Sequence, residues 1–466
     1  MELLVPFIKL KFKTSENDFI EFHFKRSGNT YESEKGVIIK LDIENNVCKN
    51  GIRIDKLPRF EEYNEEIINQ IIEKYNQEVE ISFEDKENGV DYAPDGDLGI
   101  TIPYAPESIK ISQARFSLKE IYEMIIGEDD IEPTLDLSPD FQRNYVWDRT
   151  RKSRLIESIL LKIPLPVFYL SRDSEGKYQV VDGVQRLSVI NEYFSNGFKL
   201  SNLEYLNKDC ELKYYHKEPL ENSLHPKFVR TLRTYQIDCN IIEPSTPTEV
   251  KFDIFKRLNT GGKSLNNQEI RNSIMKKQVR DFIRKLAQSE EFRLATNGKI
   301  KSKRMIDQEM ILRFLGFYFL YEVKYLDLKY KGNMSNFLDQ LVESLNDNHT
   351  NLPFDKIESI FYRSMKSAHS LFGVYAFKKI SPSYRIEDVK LINKSLFTVL
   401  SVLLTRYDQE QIRNTGNITN EFAKYLKETP YLEDSITYGT SDKVRIDTTF
   451  LLVEEFLDKF MGDYND

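Results

Sequence analysis

The amino-acid sequence predicts an α+β protein with two or three domains. Near the N-terminus, side chains alternate between apolar and polar, which is typical of half-buried strands. In the middle of the chain, a strand, a tight turn and a helix follow one another around Asp182 and Gly183. From Met305 onward, apolar residues recur at helical spacing. The chain has 466 residues, which is enough for several hydrophobic cores.

The two ends of the chain predict different folds. Residues 1–105 predict a small α+β domain of unknown role, with a helix over residues 61–77 and strands over residues 7–12, 19–24, 37–43 and 79–83. Residues 276–466 predict a mostly α-helical C-terminal domain, with helices over residues 305–321, 334–345, 354–372, 391–407 and 448–460.

Residues 106–275 predict an α/β core between these two parts. Ser117, Asp148 and Asn266 are placed to cap helices, and strands are expected over residues 167–170, 178–181 and 235–242. The second of these strands leads into the turn at Asp182. Ligands commonly bind open α/β sheets at the carboxyl ends of strands, so we expect the functional site at this end.

Composition and charge argue against several classes of protein. The net charge is -8, so no overall basic field attracts the chain to nucleic acid or to a membrane. Cys48, Cys210 and Cys239 show no paired spacing, which argues against disulfides and against a zinc site. No apolar run approaches the roughly 20 residues that span a bilayer, and the start does not resemble a signal peptide. We expect a cytoplasmic protein with no membrane partner.

The segment VVDGVQR at residues 180–186 is the main candidate site. Gly183 permits a positive φ, and the first N–H groups of the helix that follows suit an anion. Arg186 adds a forked donor for phosphate, while Asp182 and Gln185 suit a metal ion or an oriented water. The alternative is an ordinary β-turn-α junction in which Asp182 caps the helix.

Three segments in this order resemble a known family. They are FQRNYVW at 141–147, DGVQR at 182–186 and LNTGG at 258–262, with EIRN following at 269–272. Together they resemble the N-terminal domain of GmrSD-type modification-dependent restriction systems, which is also found in SspE-type phage-defence proteins. The resemblance covers residues from about 111 to about 304 and does not reach residues 1–105.

The resemblance implies a ParB/sulfiredoxin-like fold for the core and a nucleotide site at the family's DGQQR motif, which is tied to NTP binding and hydrolysis. Val184 stands where the family has its first Gln. No segment of the C-terminal half resembles the HNH-type nuclease domain that many relatives carry. We therefore do not expect this chain to cut DNA by itself.

The candidate catalytic residues are Asp182, Gln185 and Arg186. Asp182 is expected to hold Mg²⁺ or to orient the attacking water. Such positioning and charge stabilisation are the protein's main contributions to phosphoryl transfer. Gln185 is expected to position water or the γ-phosphate, or else to make a hydrogen bond at the helix start. Arg143, beside Gln142 on an extended loop, is expected to clamp the triphosphate together with Arg186. Surface ion pairs are the alternative for both arginines.

Two further segments are candidates for nucleotide contacts besides Gly183. Trp147, the only tryptophan, is expected either to stack on a base or to anchor a helix on the sheet. Asn259, Gly261 and Gly262 are expected either to bring backbone N–H groups to the ligand or to form a plain helix terminus.

A basic stretch runs from residue 276 to residue 304, where ten basic residues face three acidic ones. It suits a local contact with a DNA backbone, and a solvated helix face is the alternative. The candidate DNA contacts are Lys276, Lys277, Arg280, Arg284, Lys301, Lys303 and Arg304.

These observations predict an NTP-binding and NTP-hydrolysing sensor of an antiphage or restriction system. Nucleotide is expected between the loop of Arg143 and the turn of Asp182, and DNA or a separately encoded effector nuclease is expected at the helical part. The alternative is a non-catalytic ParB-like DNA-binding or adaptor protein, in which Val184 marks lost chemistry. The sequence admits an oligomer and does not fix its size.

Overall fold

The chain divides into two units, one comprising Met1–Ile102 and Gln278–Asp466 and the other Pro103–Lys277. The structure is a computed structural model that describes residues 7–13, 19–44, 46–55, 64–91, 109–127, 132–137, 147–258, 266–348, 351–382, 391–437 and 439–462. It contains a small antiparallel sheet, a mixed sheet and a mostly helical C-terminal region. The predicted α+β class is therefore confirmed.

The first sheet is antiparallel, and its strands lie side by side in chain order. Within the described residues they are β1 (Phe7–Lys13), β2 (Phe19–Ser27), β3 (Thr30–Ser33), β4 (Ile38–Glu44) and β5 (Val47–Arg53). The three strands predicted over residues 7–43 are confirmed as β1, β2 and β4. Helix α1 (Asn64–Glu87) covers the sheet and buries Ile67, Ile71, Tyr75 and Val79 against it.

The prediction of a strand over residues 79–83 is wrong, because α1 continues to Glu87. Val79 lies four residues after Tyr75, a spacing that places both side chains on the same face of a helix, and both are buried in the same core. Ile81 and Phe83, which suggested a strand, are exposed. Packing of the helix against the sheet therefore outweighs the strand propensity of these residues.

The unit Pro103–Lys277, which we call the core unit, is built on a mixed sheet with the strand order β6-β10-β8-β9-β7. The strands are β6 (Ile111–Ser117), β7 (Leu135–Asp136), β8 (Phe168–Arg172), β9 (Tyr178–Asp182) and β10 (Gln236–Ile242). β10 runs antiparallel to β6 and parallel to β8, while β9 runs antiparallel to β8 and parallel to β7. β8, β9 and β10 correspond to the three predicted strands. Asp182 therefore lies at the carboxyl end of an inner strand.

Helices cover both faces of this sheet. They are α2 (Leu118–Ile126), α3 (Arg149–Leu160), α4 (Val184–Phe194), α5 (Asn207–Cys210), α6 (Pro226–Thr234), α7 (Thr248–Leu258) and α8 (Asn267–Ile274). α2, α3, α4 and α6 share one core with Phe168 and Val180. α7 and α8 contribute Phe255 and Ile270 to a second core with Val181. Val180 and Val181 serve different cores because successive strand residues point to opposite faces.

The predicted helix caps are confirmed. The side chains of Ser117, Asp148 and Asn266 accept backbone N–H groups at the starts of α2, α3 and α8. Ser117 and Asn266 form complete capping boxes with Glu120 and Glu269. These caps satisfy N–H groups that a helix leaves unpaired, so the local sequence fixes where each helix begins.

The chain from Lys277 onward is mostly helical, and the five helices predicted there correspond to α11, α12, α13, α14 and α18. The helices of this region are α9 (Lys277–Ala287), α10 (Glu290–Ala295), α11 (Ile306–Tyr321), α12 (Met334–Asn348), α13 (Phe354–Phe372), α14 (Lys394–Leu403), α15 (Gln409–Thr415), α16 (Thr419–Glu428), α17 (Pro430–Ser435) and α18 (Lys443–Met461). In the part of the chain that the structure describes, no helix is both long and apolar enough to cross a membrane.

Buried charges connect α1 to α11 and α14 inside the first unit. Lys394 Nζ lies 2.9 Å from Asp85 Oδ2 and 3.7 Å from Glu309 Oε1. Arg313 Nε lies 2.9 Å from the same oxygen of Glu309. None of these four side chains is more than 14% exposed. Two cations and two carboxylates compensate one another there, so the loss of any one would leave the cluster with a net buried charge.

Glu157 of α3 holds residues 204–206 of the core unit in place. Its carboxylate accepts the backbone N–H groups of Tyr205 at 2.7 Å, Leu206 at 2.8 Å and Glu204 at 3.0 Å. The residue is 3% exposed. Burial raises the pKa of Glu157, but the three N–H donors together outweigh burial, so the pKa lies below its ordinary value. The ionised carboxylate therefore stabilises the fold.

We expect Glu157→Gln to lower the free energy of unfolding by about 2 kcal/mol, because an amide replaces a charged acceptor of three N–H groups. The folded pKa of Glu157 is the lower one, so its stabilisation is present above about pH 4.3 and is lost as the pH falls through the folded pKa. Urea unfolding between about pH 3 and about pH 7 measures this dependence.

Glu204→Gln is the matched control, because that carboxylate is exposed and pairs with Arg154 at the surface. We expect a change within about 0.5 kcal/mol for it. If the Glu157→Gln loss were equally large at the acid end of the series, the charge-based explanation would be contradicted.

Candidate functional site

The turn after β9 has the predicted geometry. β9 ends at Asp182, Gly183 is left-handed with φ 99° and ψ 7°, and α4 begins at Val184. Gly183 stands at the N-cap, and no side chain of the described residues caps this helix. The first N–H groups of a helix have no partner within it. The first N–H groups of α4 therefore make no hydrogen bond to a capping side chain of the described residues.

The other long helices on the same face of the sheet begin differently. α2 and α3 are capped by the side chains of Ser117 and Asp148. Asp182 does not take this role at α4, because its carboxylate pairs with Arg186 instead. The alternative in which Asp182 caps the helix therefore does not describe this turn.

Phe168 leaves room only for glycine at position 183. A Cβ atom on Gly183 would lie 2.4 Å from Phe168 Cδ1 and 3.1 Å from Arg186 Nη2. The first of these distances is shorter than any real Cβ contact. Both the positive φ and this close approach require a residue without a side chain.

Arg186 closes the turn. Its Cζ lies 4.1 Å from the centroid of the Phe168 ring. Its Nη2 donates to Asp182 Oδ2 at 3.0 Å and to the Val167 carbonyl at 3.4 Å, and its Nη1 donates to the Pro166 carbonyl. The side chain is 13% exposed. Burial lowers the pKa of Arg186, and Asp182 opposes this shift. Arg186 thus joins the end of β9 to the start of β8.

Asp182 presents a carboxylate beside the start of α4. Its side chain is 38% exposed, and Arg186 holds it through Oδ2. Gln185, on the first turn of α4, is half-buried. Four predicted site residues, Asp182, Gly183, Gln185 and Arg186, lie in this one short segment, and the structure adds a direct contact between Asp182 and Arg186.

Val184, which replaces the family's Gln, faces the hydrophobic core. It is 3% exposed and packs in the same core as Phe168 and Leu187. An apolar side chain suits such a position. In this chain, residue 184 therefore contributes packing and no polar group to the site.

Trp147 lies just before α3 and is half-buried against the core. The guanidinium of Arg151 stacks on its ring, with Cζ 4.3 Å from the ring centroid. These contacts agree with the interpretation of Trp147 as an anchor. Stacking of Trp147 on a base stays a prediction.

Five predicted nucleotide contacts lie outside the described residues. They are Gln142, Arg143, Asn259, Gly261 and Gly262. Their convergence on the turn stays a prediction.

The basic stretch does not present all of its charges to solvent. Arg280 is 3% exposed. Arg284 pairs with Asp281 at 2.5 Å, Lys303 with Glu87 at 2.6 Å and Lys276 with Glu175 at 2.7 Å. Lys277 and Lys301 are exposed, and Arg304 is half-buried. Ion pairs offset part of the positive charge, and DNA binding by these residues stays a prediction.

The predicted site residues did not include Phe168 or the carbonyl groups of Pro166 and Val167. These groups support Gly183 and Arg186 across a gap of about 15 to 20 residues in the chain. No local pattern marks such a contact, because it depends on the pairing of β8 with β9. The β-branched residues that predicted β9 were the nearest available signal.

One known family matches a segment within the core unit. Residues 118–276 match the family described as GmrSD restriction endonuclease, N-terminal domain, which is the family that the sequence motifs resemble. The match covers about a third of the 466 residues, so the similarity applies to these residues and not to the rest of the chain. No curated protein and no solved structure matches the chain. The family match indicates a component of a restriction or phage-defence system.

We expect Gly183→Ala to destabilise the protein by about 3 kcal/mol or more, because it adds steric overlap with Phe168 to the strain of a positive φ. Gly176→Ala is the matched control: Gly176 has φ +83° and open space around its Cβ position. It should lose only about 1 kcal/mol. Chemical unfolding of both variants measures the difference, and equal losses would contradict the role assigned to Phe168.

Proposed function

We propose that this chain binds and hydrolyses a nucleoside triphosphate as the sensor of a restriction or phage-defence system. The triphosphate binds at the start of α4. One observation carries the proposal: the helix starts at Gly183 without a side-chain cap, next to the carboxylate of Asp182 that Arg186 holds. The family match over residues 118–276 supports the same class of function.

Backbone N–H groups at the start of α4 bind the phosphates. A helix N-terminus offers unpaired donors and the positive end of the helix dipole, both of which favour an anion. Gly183 has no side chain that would keep a phosphate away from the backbone. Arg186 fixes the turn through Pro166 and Asp182 and adds a positive charge close to the phosphates.

Asp182 is the residue that would hold Mg²⁺. Mg²⁺ in nucleotide sites uses one or two carboxylates and takes further ligands from phosphates and water. Among the residues that the structure describes, no group of three or more His, Cys, Asp or Glu side chains could hold a metal ion. The partly exposed carboxylate of Asp182 fits an ion that is shared with the triphosphate. Bound Mg²⁺ would neutralise negative charge on the phosphates.

The other predicted residues complete the proposed site. Gln185 orients the attacking water from the first turn of α4. Gln142 and Arg143 contact the triphosphate from their own segment. NTP binding and hydrolysis change the contacts at the turn, and a DNA duplex or a separately encoded effector nuclease responds to that change.

A non-catalytic adaptor that binds DNA is the second candidate function. It is favoured by two observations: Arg186 already donates to groups within the protein, and Val184 is buried where the family has Gln. The exposed Lys301 would contribute to the DNA contact. In this case DNA affinity does not depend on nucleotide.

Calorimetric titration with ATP, GTP, CTP and UTP in the presence of Mg²⁺ tests the proposed function. We expect wild-type protein to bind at least one of them and Asp182→Asn to weaken that binding by about tenfold or more, which is about 1.4 kcal/mol. Asn still offers Arg186 an acceptor, so the turn should be retained. Asp238→Asn is the matched control, because Asp238 is exposed and pairs with Arg115 on β6.

Failure of the wild-type protein to bind any of the four nucleotides would contradict the proposed function. DNA binding that is unaffected by nucleotide and by Asp182→Asn would then support the adaptor.

A further inference from the structure

Helix α8 points its N-terminus toward the end of β9 at which the turn lies. Its Ile270 packs in one core with Val181. Further along the helix, the carbonyl of Met275 accepts a hydrogen bond from Gln179 Nε2 at 3.0 Å. Met275, at the end of the helix, thus contacts Gln179, which comes before Val181 in the strand, so α8 runs antiparallel to β9. The start of α8 is therefore directed toward the end of the strand that carries Asp182.

Two buried carboxamides lie one helical turn apart on α8. Gln268 is 1% exposed and Asn272 is fully buried, at 0%. Gln268 Nε2 and both Nδ2 and Oδ1 of Asn272 have no hydrogen-bond partner among the described residues. Residues four apart share a helix face, so these groups form one polar surface, which we call the carboxamide pair.

The carboxamide pair stands out from the other polar residues of α8. The Ser273 hydroxyl donates to the carbonyl groups of Glu269 and Ile270. Glu269 completes the capping box with Asn266. Buried polar atoms are nearly always paired, and an unpaired one destabilises the folded chain. Two donors and one acceptor in the carboxamide pair therefore call for a partner that the described residues do not supply.

We propose that the carboxamide pair binds the base of the nucleotide; this inference rests on the proposed function. The open groups decide the class of ligand. A phosphate would use only donors and a metal ion only acceptors, whereas Asn272 leaves a donor and an acceptor open side by side. The edge of a nucleobase offers the matching acceptor and donor. Because Asn272 is closed off from solvent, the base must displace protein atoms that cover it.

The test compares nucleotide with tripolyphosphate, which carries the phosphates without the base. We expect wild-type protein to bind its preferred NTP about 10- to 100-fold more tightly than tripolyphosphate, both with Mg²⁺. Asn272→Leu should abolish that difference and leave the affinity for tripolyphosphate unchanged. Without ligand, the variant should also have a higher Tm, because it removes two unpaired polar atoms from a buried position.

Asn191→Leu on α4 is the matched control, since Asn191 Oδ1 is also buried and unpaired. It should leave the preference for NTP over tripolyphosphate unchanged. Gln268→Met is the second variant, used with the same ligands if Asn272→Leu does not fold, and it should reduce the preference by about tenfold.

Three results would overturn the inference, and they separate it from the proposed function. Equal NTP affinity in wild type and Asn272→Leu would remove the carboxamide pair from the site while leaving the nucleotide function intact. Equal binding of NTP and tripolyphosphate by the wild type would leave a phosphate site that does not read the base. Binding of neither ligand by the wild type would contradict the proposed function itself.

Discussion

The turn between β9 and α4 depends on the packing of Gly183 against the ring of Phe168. This contact and the positive φ that ends β9 both require glycine, and glycine at the N-cap has no side chain to cap α4. The guanidinium of Arg186 covers the same ring and reaches the carbonyl of Pro166 and the carboxylate of Asp182. One aromatic ring therefore supports both the backbone donors and the carboxylate that the proposed phosphate site needs.

Most of the core unit could be predicted from the sequence because its signals are local. Ser117, Asp148 and Asn266 cap helices through neighbours three or so residues away, and the turn at Gly183 follows from its own residue type. The prediction of a strand over residues 79–83 was wrong because the structure of this segment depends on packing of α1 against a sheet that is distant in the chain. The division at residues 105 and 275 into three domains stays a prediction.

The partners of charged residues could not be predicted in the same way. The basic residues after position 276 form a dense run in the sequence, yet Arg280 is buried and Lys303 pairs with Glu87, more than 200 residues earlier in the chain. The partners of Arg186 could not be predicted either: its motif predicts a phosphate ligand, whereas its observed partners include the Pro166 carbonyl and the Asp182 carboxylate. A dense run of charges in the sequence does not predict a charged surface patch, because residues distant in the chain can neutralise those charges in the fold.

A crystal structure of the protein with Mg²⁺ and a non-hydrolysable analogue of its preferred NTP tests whether the triphosphate binds at the start of α4. We expect phosphate oxygens within hydrogen-bond distance of the backbone N–H groups at the start of α4, with the ion beside Asp182. Phosphates bound elsewhere, with the start of α4 occupied only by water, would contradict it.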